Sequence, residues 1–171
     1  MKYARTMLRP LGALAAAWCC LAAVSSIHAA DTVTLAVADF DYEDSSGEIQ
    51  DQVAAHAARL DDFGHLIRDQ LSTSGKYQIV TLACARPRCS AGAMDPAALT
   101  AAARQSGARL LLYGGIHKMS TLVQFGKAQI VDLETDKVVF DRTITFRGDN
   151  DEAWRRAGAF LAEELASKNL Q

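Results

Sequence analysis

Ala108-Arg109-Leu110-Leu111-Leu112-Tyr113-Gly114-Gly115-Ile116-His117-Lys118 is the longest near-continuous apolar run beyond residue 30. Apolar side chains at successive positions, and not at alternate ones, describe a strand covered on both faces. Such a strand lies in the middle of a sheet, with the other elements packed around it. Gly114 and Gly115 weaken a strand intrinsically, and inside one they mark a bulge or a close approach by another backbone. The run carries no chemistry of its own.

Upstream, Thr32 to Phe40 reads as a first strand, closed by the acidic, turn-rich Asp41-Tyr42-Glu43-Asp44-Ser45-Ser46-Gly47-Glu48. Ile49, Val53, Ala57, Leu60, Gly64, Ile67 and Leu71 step by three and four, which predicts one face of a helix from about Ile49 to Ser74, stopped by Gly75. Tyr77 to Leu82 is a second strand. Asp95-Pro96, a capping side chain with proline at the first helical position, opens a short helix that Gly107 ends. The central run then completes a βαβαβ pattern, which implies right-handed crossovers and a parallel core.

Downstream the pattern changes. Leu122 to Leu133 and Lys137 to Arg147 predict an antiparallel hairpin turned at Glu134-Thr135-Asp136. In the second of these strands Val138, Phe140, Ile144 and Phe146 share a face that Arg142 interrupts, and polar side chains fill the other, so it lies toward a sheet edge. A last helix starts near Asp151, with Trp154, Ala157, Leu161 and Leu165 as its apolar stripe. The reading is α/β: a single mixed five-stranded sheet in the order βαβαβββα, with three parallel strands, a C-terminal antiparallel hairpin and three helices. The expected spatial order of the five strands is 2-1-3-4-5.

Residues 1–30 read as a separate object. Lys2, Arg5 and Arg9 precede an apolar core from Leu11 to Val24, and small residues follow up to Ala30. That is the order of a secretory signal peptide, and fourteen apolar residues fall short of the roughly 20 that span a bilayer. Trp18 before Cys19 does not fit a lipidation signal. Residues 31–171 then form one α/β domain. Cleavage would remove three basic residues and no acidic one, taking the net charge from −2 to −5. A mildly acidic domain is a poor candidate for nucleic acid or anionic lipid, and no stable membrane insertion is expected after cleavage. Half of the residues are hydrophobic, enough for a sizeable core.

Past the leader only Cys84 and Cys89 remain, and in an oxidising compartment a close pair reads as a disulfide. Free or redox-active thiols are the alternative. Metal has less support, since no second Cys or His pair completes a tetrahedral site.

Little else carries chemistry. His56 and His65 are nine positions apart on the first helix, hence on opposite faces, while Asp61, His65 and Asp69 share its polar face. His117 flanks the central strand as a structural histidine or, less readily, a catalytic one. Phosphate-cradling glycine loops and a G-x-S-x-G nucleophile elbow are absent. The acidic turn with Asp39, Glu43 and Asp44 sits at the carboxyl end of a strand, where open α/β sheets bind ligands, and is the candidate ligand turn. Arg147-Gly148-Asp149-Asn150-Asp151-Glu152-Ala153-Trp154-Arg155-Arg156 is the densest constellation. It reads either as a capped helix start anchored by Trp154 or as a partner-binding patch of Arg147, Trp154, Arg155 and Arg156, with Lys118 and Ser120 alongside.

Several stretches carry a resemblance: Ala38-Asp39-Phe40 through Ser46, Ser74-Gly75-Lys76-Tyr77, Gly107-Ala108, Tyr113 through Leu122, and Arg147-Gly148 with Asp151 through Arg156. In these the chain resembles an uncharacterised, exported proteobacterial family of unknown function. It departs from that family at Ala153, where serine is expected, and at Asp136, where a glycine closes the hairpin. At fold level it is similar to the amino-terminal domain of TolB and to CsgG-like envelope proteins. That likeness implies a binding module, not a catalyst, and the family resemblance implies an accessory role near quinoprotein dehydrogenase systems.

The expectation is therefore a periplasmic, non-enzymatic interaction module, with another periplasmic or envelope protein as partner and no cofactor. The alternative is a small-ligand- or metal-binding accessory protein of a periplasmic, quinoprotein-type oxidoreductase system.

Overall fold

A computed structural model describes residues 32–84, 88–168 and 170; the expected signal peptide, residues 1–30, lies outside them. The elements in chain order are β1 (Val33–Val37), β2 (Asp41–Asp44), α1 (Val53–Thr73), β3 (Tyr77–Val80), α2 (Pro96–Gln105), β4 (Leu110–Lys118), β5 (Val123–Asp132), β6 (Lys137–Arg147) and α3 (Asp151–Ser167). The strands form one mixed sheet in the order β3-β1-β4-β5-β6, with β2 also paired to β4. β3, β1, β2 and β4 run parallel, while β5 and β6 continue antiparallel. This is the expected order of the five main strands.

β4 is the middle strand. β1 and β2 flank one side of it and β5 runs along the whole of the other. Leu110, Leu111 and Leu112 are all buried, because helices cover both faces. On one face α1 and α3 bring Leu60, Phe63, Ile67, Trp154, Leu161 and Leu165 down on Leu35, Leu110, Leu112 and Ile130. On the other, α2 lays Leu99 and Ala103 over Ala36, Ala38 and Leu111. Each large apolar side chain taken fully out of water contributes about 1.5–3 kcal/mol.

The glycines of β4 mark a close approach. A Cβ on Gly114 would collide with the Lys127 carbonyl oxygen and lie 2.9 Å from the Phe40 ring, and one on Gly115 would lie 3.1 Å from the Asp41 carbonyl oxygen. Phe40 reaches that position because the chain opposite β4 is bulged. Val37 pairs with Leu112 and Asp41 with Gly115, so four steps on one side match three on β4. The one extra residue changes the facing. Val33, Leu35 and Val37 turn toward α1 and α3 before it; Phe40 and Tyr42 do so after it.

Three expectations are corrected. The acidic segment is not simply a turn: Asp41–Asp44 is a sixth strand, held because β4 extends beyond the end of β1 and offers a pairing edge. α1 begins at Val53, with Gln52 as its N-cap and no side-chain cap. Ile49 and Val53 are exposed and Ala57 is too, so the buried face near its start is carried by His56 and Leu60 instead. Finally, Val138 lies on an exposed end of β6, beyond a register shift opposite Ile130 and Val131.

The other boundaries follow local signals. Asp95 caps α2 by accepting from the amides of Ala97 and Ala98, with Pro96 at the first position. Asn150 caps α3, accepting from Ala153 N at 2.9 Å. Asp136 turns the hairpin at φ 56°, the left-handed region that glycine adopts more readily. Arg142, which interrupts the apolar face of β6, lies 3.3 Å from Glu164 of α3 and stacks over Phe160.

Candidate functional site

The carboxyl ends of β2 and β4 meet the starts of α1 and α3 in a cluster of buried charges. At its centre is Lys118, the last residue of β4, with 0% of its surface exposed. Its Nζ lies 2.5 Å from Glu48, 2.6 Å from Asp149 and 3.8 Å from Asp44. Asp149 also takes His56 Nε2 at 2.8 Å, Arg59 at 2.9 Å and the Gln124 amide at 3.4 Å. Arg59 continues to Asp151 at 2.8 Å.

The electrostatics follow from the packing. Burial alone would lower the Lys118 pKa, but hydrogen bonds to Asp149 and Glu48 and the nearby carboxylate charges overcome it and raise the value. Burial would raise Asp149, yet Lys118 and His56 hold its carboxyl below the ordinary range. Asp44 is lowered chiefly by its hydrogen bond with Ser46. Burial pushes the Tyr42 hydroxyl far above its ordinary value, with the Asp44 and Asp149 charges adding to it. Partnered in this way, the buried charges fasten four segments together.

An aromatic wall backs the cluster. Tyr42 stacks on His56 at 4.7 Å, and Trp154 lies 5.8 Å from Tyr42 and 5.9 Å from Phe146. Trp154 is 2% exposed, and its Nε1 and Gln124 Oε1 have no hydrogen-bond partner among the described residues.

The expected site residues separate into groups. Lys118 and Trp154 are interior, so neither is offered to a partner. Ser120 holds the tight turn after β4, accepting from the amides of Leu122 and Val123. Arg147, Arg155 and Arg156 are exposed. Arg155 forms a bidentate pair with Glu152 at 2.9 Å, and Arg156 lies 3.9 Å from the same carboxylate.

The candidate ligand turn does not converge on one point. Asp39 pairs with Arg68 at 3.0 Å and accepts from Cys89 N, Glu43 is exposed, and Asp44 faces Lys118. Asp41, its neighbour, holds Ser90 Oγ at 2.6 Å and Gly92 N at 2.8 Å. Cys84 and Cys89 form a disulfide with Cα atoms 5.8 Å apart, and Cys89 is fastened through Asp39 to the segment between β1 and β2.

His117 lies 2.7 Å from Ser45 Oγ. No carboxylate bonds its other ring nitrogen among the described residues, so the pair clasps two strand ends and lacks the third group that orients a catalytic base. Among the described residues no group of three or more His, Cys, Asp or Glu is placed to hold a metal ion, and no helix is long and apolar enough to cross a membrane.

Sequence reasoning missed the cluster itself. His56, Glu48 and Arg59 were unassigned, because their partners lie far along the chain: His56 and Asp149 are 93 positions apart. One signal was available. Lys118 ends an apolar run that is covered on both faces, which calls for a buried counter-charge.

A three-helix, mixed-sheet α/β module with a buried ion cluster at one end is the class that fold and site define. The chain belongs to the family described as "Protein of unknown function (DUF2380)", matched over residues 33–165. No curated protein matches it. Among solved structures it is similar to the PelC dodecamer from Paraburkholderia phytofirmans, with TM-score 0.51 and 15% identity over 80% of this chain and 86% of that one. The hypothetical protein CT253 from Chlamydia trachomatis aligns with TM-score 0.50 and 10% identity over 79% and 96%. TolB from Acinetobacter baumannii aligns with TM-score 0.46 and 13% identity over 79% of this chain and 28% of TolB. At these identities the likeness is one of fold alone.

Proposed function

We propose that this protein is an exported, non-enzymatic interaction module of the cell envelope, working in the periplasm on another envelope protein. Its surface is the end of the molecule where β4 finishes and α3 begins. The observation that carries the reading is the division of labour around Lys118. The ionisable groups there neutralise one another in the interior and lock β2, β4, α1 and α3 together. Outside this fastened base stand Arg147, Arg155 and Arg156, with exposed Met119 and Leu122 on the adjoining turn. Arginine beside exposed apolar surface on a rigid support is a composition suited to protein recognition.

Photo-crosslinking in cells tests this. A photoreactive residue at Arg155 or Leu122 is expected to trap a defined second protein, while one at Gln105, exposed on α2 of the opposite layer, traps none. Absence of adducts at both Arg155 and Leu122 would refute this surface.

A further inference from the structure

β6 is the free edge of the sheet. It is eleven residues long, whereas the opposite edge strand, β3, has four. Natural edges of that length are protected by proline, by charged side chains, by a β-bulge or by a covering element, and the bulge of β6 lies before Phe140, leaving the stretch from Phe140 to Arg147 regular. Beyond its first residue, Lys137, β6 has no lysine, and it contains no proline.

Its unpaired backbone groups can be assigned. The Gly148 amide donates to the Leu122 carbonyl at 3.0 Å, and the register from Phe140 to Arg147 is continuous. In an antiparallel ladder the even-numbered residues of this stretch therefore turn their amides and carbonyls to β5. Asp141, Thr143, Thr145 and Arg147 turn theirs outward.

Beside that row a groove of about 500 Å³ runs between β6 and α3, with Ile144, Phe146 and Phe160 as apolar surface. Arg142, Arg147 and Arg156 also line it, and no acidic side chain does, on a chain whose net charge is −2. Arg142 and Arg156 have glutamates at 3.3 and 3.9 Å, both on α3, and Arg147 has no ion-pair partner among the described residues.

We propose that this edge takes an acidic, extended segment of a partner protein as an added strand. The proposal rests on the interaction reading above and names the partner's chemistry. Main-chain hydrogen bonds to the outward row supply the pairing. Apolar side chains enter the groove against Phe146 and Phe160, and the carboxylates, on the alternate face of the added strand, meet Arg147.

The probe is a synthetic, end-blocked nonapeptide of alternating glutamate and valine, with a lysine–valine peptide as control, titrated into the purified protein. Amide exchange at Thr143, Thr145 and Arg147 is expected to slow by about tenfold or more on binding. Arg147→Glu is expected to weaken binding roughly tenfold. Salt at about 1 M, where the Debye length is about 3 Å, is expected to weaken it as well. Thr145→Pro removes an outward donor without touching the β5 ladder, and is expected to abolish binding while the thermal midpoint stays near that of the parent.

Equal binding of the lysine peptide, protection away from β6, or no binding would overturn the proposal. So would sedimentation showing that β6 pairs with a second copy. Crosslinks at Arg155 and Leu122 that persist after such a result would leave the interaction module standing and remove only strand addition.

Discussion

Lys118 Nζ and Asp149 Oδ2 lie 2.6 Å apart with the lysine fully buried, so one charge pair ties the middle strand to the residue two before α3. The pair cannot be halved cheaply. Lys118→Met leaves the half-buried Glu48 without a cation among the described residues, and Asp149 with Arg59 and His56 alone. It is expected to lower unfolding free energy by about 3–5 kcal/mol, measured by urea denaturation.

Acid stability follows from the same pair. Asp149 is held below its ordinary value of 3.8, so its contribution is fully present above 3.8 and is lost as pH falls through the folded-state value. Lys118 is raised above 10.5, so its contribution is present below 10.5 and is lost as pH rises beyond the folded-state value. Between these limits the pair is fully charged. Asp149→Asn is expected to lower stability throughout that range and to flatten its fall on the acid side, read as urea midpoints across pH.

Gly114 and Gly115 are expected to differ in tolerance. The methyl of Gly114→Ala meets a carbonyl oxygen in the adjacent strand and the Phe40 ring, neither of which can move freely. That of Gly115→Ala meets one oxygen at 3.1 Å. Overpacking costs typically about 1–3 kcal/mol. The Gly114 variant is expected at or beyond the upper end and the Gly115 variant near the lower, compared by thermal unfolding.

At the hairpin, Asp136→Gly is expected to keep parental stability or gain slightly, since it relieves the left-handed backbone while giving up an exposed ion pair with Arg104. Asp136→Val keeps the backbone demand and loses the pair. It is expected to cost about 1–2 kcal/mol in the same measurement.

Cys84→Ser with Cys89→Ser opens the short loop and is expected to cost roughly 2 kcal/mol. Amide exchange should rise at Asp39, whose amide donates to the Cys89 carbonyl at 2.9 Å, and at Cys89, whose amide donates to the Asp39 carboxylate at 2.9 Å, while β5 and the β6 amides that face it remain protected.

The frame of the fold is written in local patterns. The unbroken apolar run of β4, the Asp95-Pro96 start of α2 and the stripe from Trp154 to Leu165 each state their element within a few residues. What was not legible depends on distant partners. Asp-Tyr-Glu-Asp has weak strand propensity, and only the extension of β4 beyond β1, with Lys118 waiting at its end, makes those residues β2. Ile49 fits a helical period but has nothing to pack on, whereas His56 enters the interior because Asp149 and Trp154 meet it there. Burial of Lys118 and Trp154 depends on the same long-range assembly, so counting Arg, Trp and Lys near one another overstated the accessible patch.

The extra residue between β1 and β2 is what gives Asp39 its own place beside the sheet, where it meets Arg68 and the Cys89 amide. Removing it would match three steps with three on β4 and let β1 run into β2 as one regular strand, with Tyr42 and Asp44 still facing His56 and Lys118. A deletion at Asp39 would therefore spare the buried cluster and cost the fastening of the disulfide segment, whereas a deletion inside Asp41–Asp44 would shift the cluster's own residues along β4.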